Sequence, residues 1–358
     1  MSARSQRLSE LLEDAGVELI AVTNLVNVRY LTGFTGSNAM ALVGPETRRF
    51  MTDFRYVEQA AGEVDPSFDR TEPSPNLLEA LAKDLPESTI RLGFEDEHVT
   101  VRQHAQMREL LGERVELVGV RGLVEGLRAV KDAEELARIR AATELADAAF
   151  EQVVSEGIAG RTERELALEL ELAMRRRGAE RVSFEPIVAA GPHGALPHAD
   201  PRDVEVGRGE LVVFDWGAQL DGYCSDCTRT VAAGTAPGEE AVSIYELVLQ
   251  AQLAGLDAVR AGAAGRDVDG AARAIIDGRG HRGRFGHGLG HGVGLDIHEA
   301  PRLSQRADGS LTAGNVVTVE PGVYLPGQFG VRIEDLVAVT DTGCEILTGL
   351  SKELTVVD

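Results

Sequence analysis

The chain has 358 residues, of which 43% are hydrophobic, so it is long enough to build two domains with substantial cores. Its formal net charge of −22 argues against nucleic acid or an anionic membrane as a partner, because both need clustered basic residues. With three cysteines and no apolar run near the roughly 18 residues of a membrane span, we expect neither a disulfide framework nor a membrane anchor. Residues 1–16 predict an amphipathic helix rather than a signal peptide, so a cytoplasmic location is the default expectation.

The first 127 residues alternate short helices with apolar strands, a pattern typical of a small α/β domain. The predicted strands cover residues 17–23, 39–44, 48–53 and 90–95. Between the first two strands lies NVRYLTGFTGSNA (27–39), which its glycine, serine and threonine content predicts to be a loop carrying Tyr30 and Phe34. Near residue 127 a long amphipathic helical pattern begins, so we assign residues 1–127 and 128–358 to separate domains.

The second domain contains an internal repeat. GIAGRTERELALEL starts at Gly157 and GAAGRDVDGAARAI starts at Gly262, an offset of 105 residues (262 − 157). The same offset aligns ELVVFDWGAQLDGYCSD from Glu210 with NVVTVEPGVYLPGQFG from Asn315. We therefore predict two copies of a helix-plus-hairpin unit related by a pseudo-twofold axis.

Each copy places carboxylates where apolar strands end. Asp215 ends an apolar run, and Asp226 is predicted to return almost opposite to it, about 5 Å away in the backbone. In the second copy Glu320 ends an apolar strand and Glu334 returns after a PGQFG reversal, whereas Asp335 points to the opposite face as a hydrogen-bonding or surface residue. Carboxylates this close repel unless a cation joins them. The four carboxylates are predicted to converge on a site for Mn²⁺, Co²⁺ or Zn²⁺, because oxygen ligands with one or two imidazoles suit these ions.

The segment FGHGLGHGVGLDIHEAP (285–301) adds three histidines to these candidates. His287 and His291 have the same strand parity, yet in an extended segment their rings lie about 13 Å apart, so one metal cannot bind both. His298 has the opposite parity, and His198 lies in a loop before the first acidic strand. By spacing, one of the first two is a ligand and the other faces the substrate or supports the ligands.

These motifs together resemble the pita-bread metallopeptidases, a family that includes methionine aminopeptidase, aminopeptidase P, prolidase and the metal-free creatinase. The matching pieces are DWGAQLDGYCSDCTRT from Asp215, GHG around His291, HEAP from His298, TVEPGVY around Glu320 and GVRIED around Glu334. In the first domain, RYLTGFTGSNA and TDFRYVEQA resemble the N-terminal domain of the proline-specific branch. The resemblance implies an α+β chain in which a small α/β N-terminal domain precedes a pseudo-twofold-symmetric pita-bread catalytic domain.

The resemblance also implies a dinuclear metal centre. It implies two divalent ions per subunit, with Mn²⁺ preferred over Co²⁺ or Zn²⁺, held by Asp215, Asp226, His291, Glu320 and Glu334. Asp226 and Glu334 would bridge the ions, which makes His291 the single imidazole ligand.

Further roles are implied for residues around that centre. Glu320 would act as general base and then acid, while His298 and His198 would contact the substrate and the tetrahedral intermediate. The residues implied to brace the ligands or line the cleft are His287, Arg332, Tyr324 and Arg302. Phe184 is expected either to form an apolar wall of the cleft or to pack in the core.

The implied reaction is hydrolysis of an Xaa–Pro bond by hydroxide shared between two metal ions, with Glu320 carrying the proton to the leaving nitrogen. The N-terminal motifs favour aminopeptidase P, which removes the residue before proline from longer peptides, over prolidase, which cleaves dipeptides. A metal-free creatinase-like enzyme or a pseudo-enzyme binding module is the remote alternative, disfavoured because all five ligand positions hold competent residues. A homodimer acting on proline-containing peptides is also implied.

Overall fold

The computed structural model describes residues 2–358. The chain divides into two compact units, Met1–Arg128 and Ala129–Asp358. Within the described part of the chain, no helix combines the length and apolar content needed to cross a bilayer.

The first unit is built on a six-stranded mixed sheet. Its strands are β1 Leu19–Val22, β2 Ala39–Val43, β3 Arg48–Thr52, β4 Asp69–Arg70, β5 Ile90–Glu95 and β6 Val115–Val120. Its helices are α1 Ser2–Leu11, α2 Leu25–Thr32, α3 Val57–Glu63, α4 Leu77–Asp84, α5 Val101–Leu111 and α6 Leu123–Ala129, the last of which ends at the unit boundary. The strand order is β4-β3-β2-β1-β5-β6, in which β1 pairs antiparallel with β2 and parallel with β5.

One predicted loop of this unit is largely helical. The segment 27–39 was expected to be irregular, but α2 occupies its first part and buries Tyr30 completely. Asn24 caps the helix by accepting a backbone hydrogen bond from its first turn, and Gly33 ends it with a φ of 84°. Gly33 lies within the segment that had suggested a loop, so part of its turn-forming composition marks the end of a short helix.

The second unit contains four long helices and four sheets. The helices are α7 Ala133–Ser155, α8 Glu163–Arg176, α9 Glu239–Ala258 and α10 Gly265–Gly278. The strands of its first half are β7 Arg181–Val182, β8 Ile187–Ala190, β9 Leu211–Trp216, β10 Ala218–Leu220, β11 Tyr223–Cys224 and β12 Cys227–Ala233. Those of its second half are β13 Gly290–Gly292, β14 Glu299–Leu303, β15 Val316–Val319, β16 Gly322–Leu325, β17 Phe329–Arg332, β18 Asp335–Val339, β19 Cys344–Ile346 and β20 Val356–Val357. The sheet orders are β11-β10-β7, β20-β12-β9-β8, β14-β13-β15-β18-β19 and β16-β17.

The two halves of this unit repeat the same packing. In the first, α7 and α8 cover the sheet of β8, β9 and β12, and Phe150 stacks on Trp216 with ring centroids 4.3 Å apart. In the second, α9 and α10 cover the sheet of β13, β15 and β18 with a separate apolar cluster. Strands β9 and β15 begin at Leu211 and Val316, which are 105 residues apart (316 − 211). The sequence repeat therefore corresponds to two helix-pair-on-sheet layers.

The long helix at the start of this unit begins later than its amphipathic pattern suggested. Asp132 accepts backbone hydrogen bonds from Glu134 and Glu135, and the Glu135 side chain accepts one from the Asp132 backbone. This capping box starts α7 at Ala133 and separates it from α6.

Candidate metal centre

The first pair of candidate carboxylates lies at the β9–β12 strand pair. Asp215 in β9 pairs with Thr228 of β12. Asp226 comes two residues before Thr228, so it does not lie almost opposite Asp215 as predicted. The register differs because the chain between the two strands folds into β10 and β11, which join β7 in a separate small sheet. The two carboxylates are still neighbours, because Asp226 is diagonal to Asp215 across the two strands.

The second pair lies at the β15–β18 strand pair. Glu320 directly follows β15 and Glu334 directly precedes β18, and the ladder between these strands ends at the pair Val319–Asp335. Glu320 and Glu334 therefore continue that ladder at its open end. The hairpin of β16 and β17 forms the reversal between them.

The structure brings all five predicted ligands together. Single carboxylate oxygens of Asp215, Asp226 and Glu334 lie within 4.8 Å of one another. His291 Nε2 lies 3.5 Å from Asp226 Oδ2 and 3.5 Å from Glu320 Oε1. Two hairpins from the two halves of the unit and one glycine-rich strand thus contribute to one cluster.

The cluster is electrostatically costly without a cation. Burial, followed by the charges of Glu334, Asp215 and Glu320, raises the pKa of Asp226 well above its ordinary value. Burial and the charges of Glu320 and Asp215 do the same for the pKa of Glu334. Burial raises the pKa of Glu320 to about 7, although Arg332 opposes the shift.

Two carboxylate oxygens in this cluster lack any hydrogen-bond donor among residues 2–358. They are Asp215 Oδ1 and Glu334 Oε1, and both are buried. Buried carboxylate oxygens without donors are destabilising unless a cation is bound to them. The donor set of four carboxylates and one imidazole therefore fits a divalent-metal centre.

His291 is prepared to act as a neutral ligand. Its Nδ1 lies 3.1 Å from the carbonyl oxygen of Gly292, so Nδ1–H donates there and leaves the Nε2 lone pair facing the carboxylates. Burial, then the neighbouring His298, lowers its pKa to about 3. Gly290 and Gly292 place this strand, because a Cβ on them would lie 2.0 Å from Thr318 O and 2.2 Å from Ala300 O. These glycines therefore allow close approach to the neighbouring backbone.

A hydrogen-bonded chain connects His287 to the cluster. Arg332 Nη2 donates to Asp215 Oδ2 at 2.5 Å, and Arg332 Nη1 donates to the Tyr324 hydroxyl at 2.9 Å. The Tyr324 hydroxyl lies 2.8 Å from His287 Nε2, while His287 Nδ1 lies 2.8 Å from the carbonyl of Gly288. Burial, then Arg332, lowers the pKa of His287 to about 4, so the ring is neutral and accepts from the tyrosine. His287 therefore lies outside the ligand cluster and supports it through two residues.

Two threonines that the sequence analysis did not single out hold the carboxylates. Thr228 Oγ1 donates to Glu334 Oε2 at 2.7 Å, and Thr318 Oγ1 donates to Glu320 Oε1 at 3.1 Å. Each lies two residues from a predicted ligand in sequence, the first after Asp226 and the second before Glu320. That spacing, which sets strand parity, is the signal that would have identified them.

Asp335 is buried instead of lying at the surface. It accepts hydrogen bonds from Arg229 Nη2 at 2.8 Å, Gln252 Nε2 at 2.8 Å and Lys352 Nζ at 2.6 Å. Arg229 also donates to the backbone carbonyl of Glu334. The hydrogen-bonding alternative for Asp335 therefore describes it, and its function is to hold the start of β18.

The ligand cluster opens into a cavity of about 490 Å³. The cavity is lined by all five predicted ligands and by His287, His298, His198, Arg302 and Phe184. Tyr324 is buried and does not line it. The His298 ring packs edge-on against His291 with centroids 4.3 Å apart. Phe184 is half-buried at the wall, which is the cleft alternative of the two expected for it.

Comparison with known proteins agrees with this architecture. Residues 137–341 match metallopeptidase family M24, and residues 4–130 match the creatinase/prolidase N-terminal domain. An Xaa-Pro dipeptidase from Pyrococcus furiosus is 35% identical over 99% of this chain and 100% of its own length. The structure of an Xaa-Pro dipeptidase from Bacillus anthracis matches with a TM-score of 0.95 and 40% identity over 99% of each chain. That of an X-Pro aminopeptidase from Thermotoga maritima matches with a TM-score of 0.90 and 38% identity over 98% of this chain and 100% of that one.

These matches confirm the predicted fold class and the predicted family resemblance. The two family models occupy the chain in the predicted order, and the relatives align over almost its whole length. The chain belongs to metallopeptidase family M24, with a creatinase/prolidase N-terminal domain preceding the catalytic one.

Proposed function

We propose that this protein is an Xaa-Pro dipeptidase that uses a divalent-metal centre. The observation that carries the proposal is the five-donor cluster at the base of a 490 Å³ cavity, in a chain similar over its full length to two Xaa-Pro dipeptidases. A cavity of this size is within the range of about 300–1,000 Å³ that is usual for small ligands. The sequence favoured aminopeptidase P, but the comparisons support the dipeptidase alternative better.

The N-terminal motifs did not separate these two activities. Both motifs lie in the creatinase/prolidase N-terminal domain, which covers residues 4–130 and is common to the proline-specific branch. The X-Pro aminopeptidase from Thermotoga maritima keeps aminopeptidase P as the second candidate. The metal-free alternative is disfavoured because the cluster retains two buried carboxylate oxygens without donors in the described chain.

We assign the metal to the five ligands already described, which would hold two divalent ions, Mn²⁺ first and Co²⁺ or Zn²⁺ as alternatives. The supporting observation is that these side chains meet in one cluster, in which Asp226 and Glu334 are the most deeply buried, at 5% and 1% exposure. When bound, divalent ions supply Lewis acidity that activates water and polarises the scissile carbonyl.

The protein's own residues orient the peptide and move the proton. Glu320, held by Thr318, takes a proton from the attacking water and passes it to the proline nitrogen, which must be protonated to leave. His298 and His198 face the cavity, where their N–H groups donate to the peptide and to the developing oxyanion. Phe184 offers an apolar wall for the pyrrolidine ring, and the exposed Arg302 is placed to pair with the terminal carboxylate of a dipeptide.

Substrate length tests the proposal. The metal-reconstituted protein should hydrolyse an Xaa-Pro dipeptide and leave the matching Xaa-Pro-Xaa tripeptide intact, in separate assays with Mn²⁺, Co²⁺ and Zn²⁺. Faster hydrolysis of the tripeptide would establish the aminopeptidase instead. An apoprotein that takes up none of these ions would favour the metal-free alternative.

Homodimerisation follows from the resemblance and a cytoplasmic location from the N-terminal sequence, and both stay predictions. Sedimentation of the metal-loaded protein measures the first. Fractionation of the source cells measures the second.

A further inference from the structure

One wall of the cavity is formed by the segment from Ala190 to Arg202. After β8 this segment forms a short 3₁₀ turn, Gly191–Ala195, and then continues through five consecutive cavity-lining residues, Pro197–Pro201. His198 lies at the centre of that run and is exposed. No hydrogen bond within residues 2–358 involves the His198 side chain, so the backbone of the segment sets its position.

Both ends of this segment are tied to one buried carboxylate. Glu163, the first residue of α8, has a side chain with 0% exposure. Its oxygens accept hydrogen bonds from the Ala190 amide at 2.9 Å and from His193 Nδ1 at 2.9 Å. They also accept from the Arg202 amide at 3.0 Å and from the Arg202 Nε and Nη2 at 3.2 Å each.

Each of these contacts fixes a different part of the segment. The Ala190 and Arg202 amides fix the points where the segment leaves and rejoins the scaffold. His193 belongs to the 3₁₀ turn, and its carbonyl accepts the amide of Leu196, which precedes the cavity-lining run. A path of hydrogen bonds therefore leads from Glu163 through His193 to the backbone that carries His198.

We propose that Glu163 is a positioning residue for the Xaa-Pro peptidase reaction, which holds His198 against the substrate through the segment 190–202. This inference rests on the proposed function. We call the five hydrogen bonds from Ala190, His193 and Arg202 to the Glu163 carboxylate the clamp. A buried carboxylate is stabilised only while its donors surround it, so the clamp has one well-defined geometry. Displacing a substrate-contacting group by about 1 Å can lower a rate 10²-fold, so a buried residue far from the chemistry can affect turnover.

The test is a double-mutant cycle between Glu163 and His198 in the Mn²⁺-loaded full-length protein. In Glu163→Gln the amide nitrogen faces donors from Arg202 and His193, so the segment loosens and kcat/KM for an Xaa-Pro dipeptide falls about tenfold. In a His198→Ala background the same change should alter kcat/KM by less than about twofold, because its target is already absent. The loss in Tm caused by Glu163→Gln should be equal in both backgrounds.

Glu165→Gln is the matched control. Glu165 lies in the same first turn of α8, is exposed and forms the capping box with Thr162, a role that glutamine also fills. It should keep kcat/KM within twofold of wild type. A tenfold loss in both backgrounds, or no loss in either, would overturn the inference.

Hydrogen exchange of the amides in residues 191–201 gives a readout independent of activity. These amides should exchange faster in Glu163→Gln at unchanged metal content, and unchanged exchange would overturn the clamp even if Xaa-Pro hydrolysis is absent. Absence of hydrolysis in the wild type would count against the proposed function instead. If Glu163→Gln does not fold, Arg202→Gln replaces it in the cycle, since the Arg202 side chain is 47% exposed and its loss removes two of the five hydrogen bonds to Glu163.

Discussion

At the scale of single residues, the partner of the Nε2 atom, and not the protonation state, distinguishes the two buried histidines. His291 and His287 are both neutral at pH 7 because burial lowers their pKa values to about 3 and about 4. They differ in what their Nε2 atoms face, which is carboxylate oxygen for His291 and the Tyr324 hydroxyl for His287. Spacing had excluded a shared metal, and these partners assign the two roles.

Glu320→Gln should abolish turnover with little loss of folded protein. Glutamine keeps an oxygen near Thr318 but cannot carry a proton, so kcat for an Xaa-Pro dipeptide should fall about 10²–10⁴-fold. Steady-state kinetics with metal analysis of the same sample measures this. The control is Glu345→Gln, which should behave as wild type, because Glu345 lies on β19, is exposed and pairs with Arg140 of α7. Near-normal kcat in Glu320→Gln would contradict the proton-transfer role.

At the scale of elements, one buried carboxylate joins α7 to the C-terminal segment. Asp147 Oδ2 accepts the Gly349 amide at 2.6 Å, while Asp147 Oδ1 is buried without a hydrogen-bond partner in the described chain. Burial raises the pKa of Asp147 to about 6, against the opposing effect of the Gly349 bond. At neutral pH, therefore, the hydrogen bond to Gly349 stabilises the folded protein, whereas burial of the Asp147 charge destabilises it.

Relative to wild type, Asp147→Asn should stabilise the protein more at pH 8 than at pH 5. The folded state binds the Asp147 proton more tightly than the unfolded chain does, so the wild-type free energy of unfolding falls as pH rises through about 4 to 6. Asparagine keeps the acceptor for Gly349 and removes the charge, so the variant should gain about 1–3 kcal/mol over wild type at pH 8 and about half as much at pH 5. Urea unfolding of both metal-loaded proteins at the two pH values gives the difference.

Asp147→Leu is the control for that experiment, since it removes the charge and the Gly349 acceptor together. It should be less stable than Asp147→Asn at both pH values. A stability difference between wild type and Asp147→Asn that does not change with pH would show that the carboxylate is ionised in both states.

At the scale of the whole molecule, the cluster joins the two halves of the second unit. Asp215 and Asp226 come from the first half, and Glu320 and Glu334 come from the second. Because like charges meet there in a chain of net charge −22, a bound cation contributes to the stability of the fold as well as to chemistry.

Removing metal should lower Tm, and returning it should restore Tm. Each occupied site adds about 2.7 kcal/mol when free metal exceeds its Kd 100-fold, so chelation should lower Tm by several degrees. Differential scanning calorimetry before and after chelation, and after readdition of Mn²⁺, measures the effect. Asp226→Ala lacks a ligand and should respond to neither step. Equal Tm values for the loaded and chelated wild type would contradict a structural contribution from the metal.

The sequence predicted most of what depends on short-range pattern. It located four of the six N-terminal strands, β1, β2, β3 and β5, because apolar runs between turn residues are encoded within a few positions, and it missed β4 and β6. It also located the repeated units and the residue types able to bind a metal, because the offset of 105 is visible in the text itself. The helix α2 was missed because most of it, with its C-cap Gly33, lies in a segment whose composition suggested a loop.

The choice between two activities of one branch was less accessible to the sequence. The motifs that favoured the aminopeptidase lie in the creatinase/prolidase N-terminal domain, residues 4–130, and the chain is similar over almost its whole length to both an Xaa-Pro dipeptidase and an X-Pro aminopeptidase. Substrate length depends on what closes the far end of the cavity, which short motifs do not describe.

By itself, the sequence determined the family, the order of the domains, the duplicated unit and the set of candidate ligands, since each is written in local periodicity and residue type. Only the tertiary structure decided the register that places Asp226 diagonal to Asp215, the contacts that His291 and His287 make, the burial of Asp335, and the clamp between Glu163 and a segment that ends 39 residues later at Arg202. These features depend on contacts between residues far apart in the chain, and their geometry follows from how sheets and helices pack rather than from the pattern of any one segment.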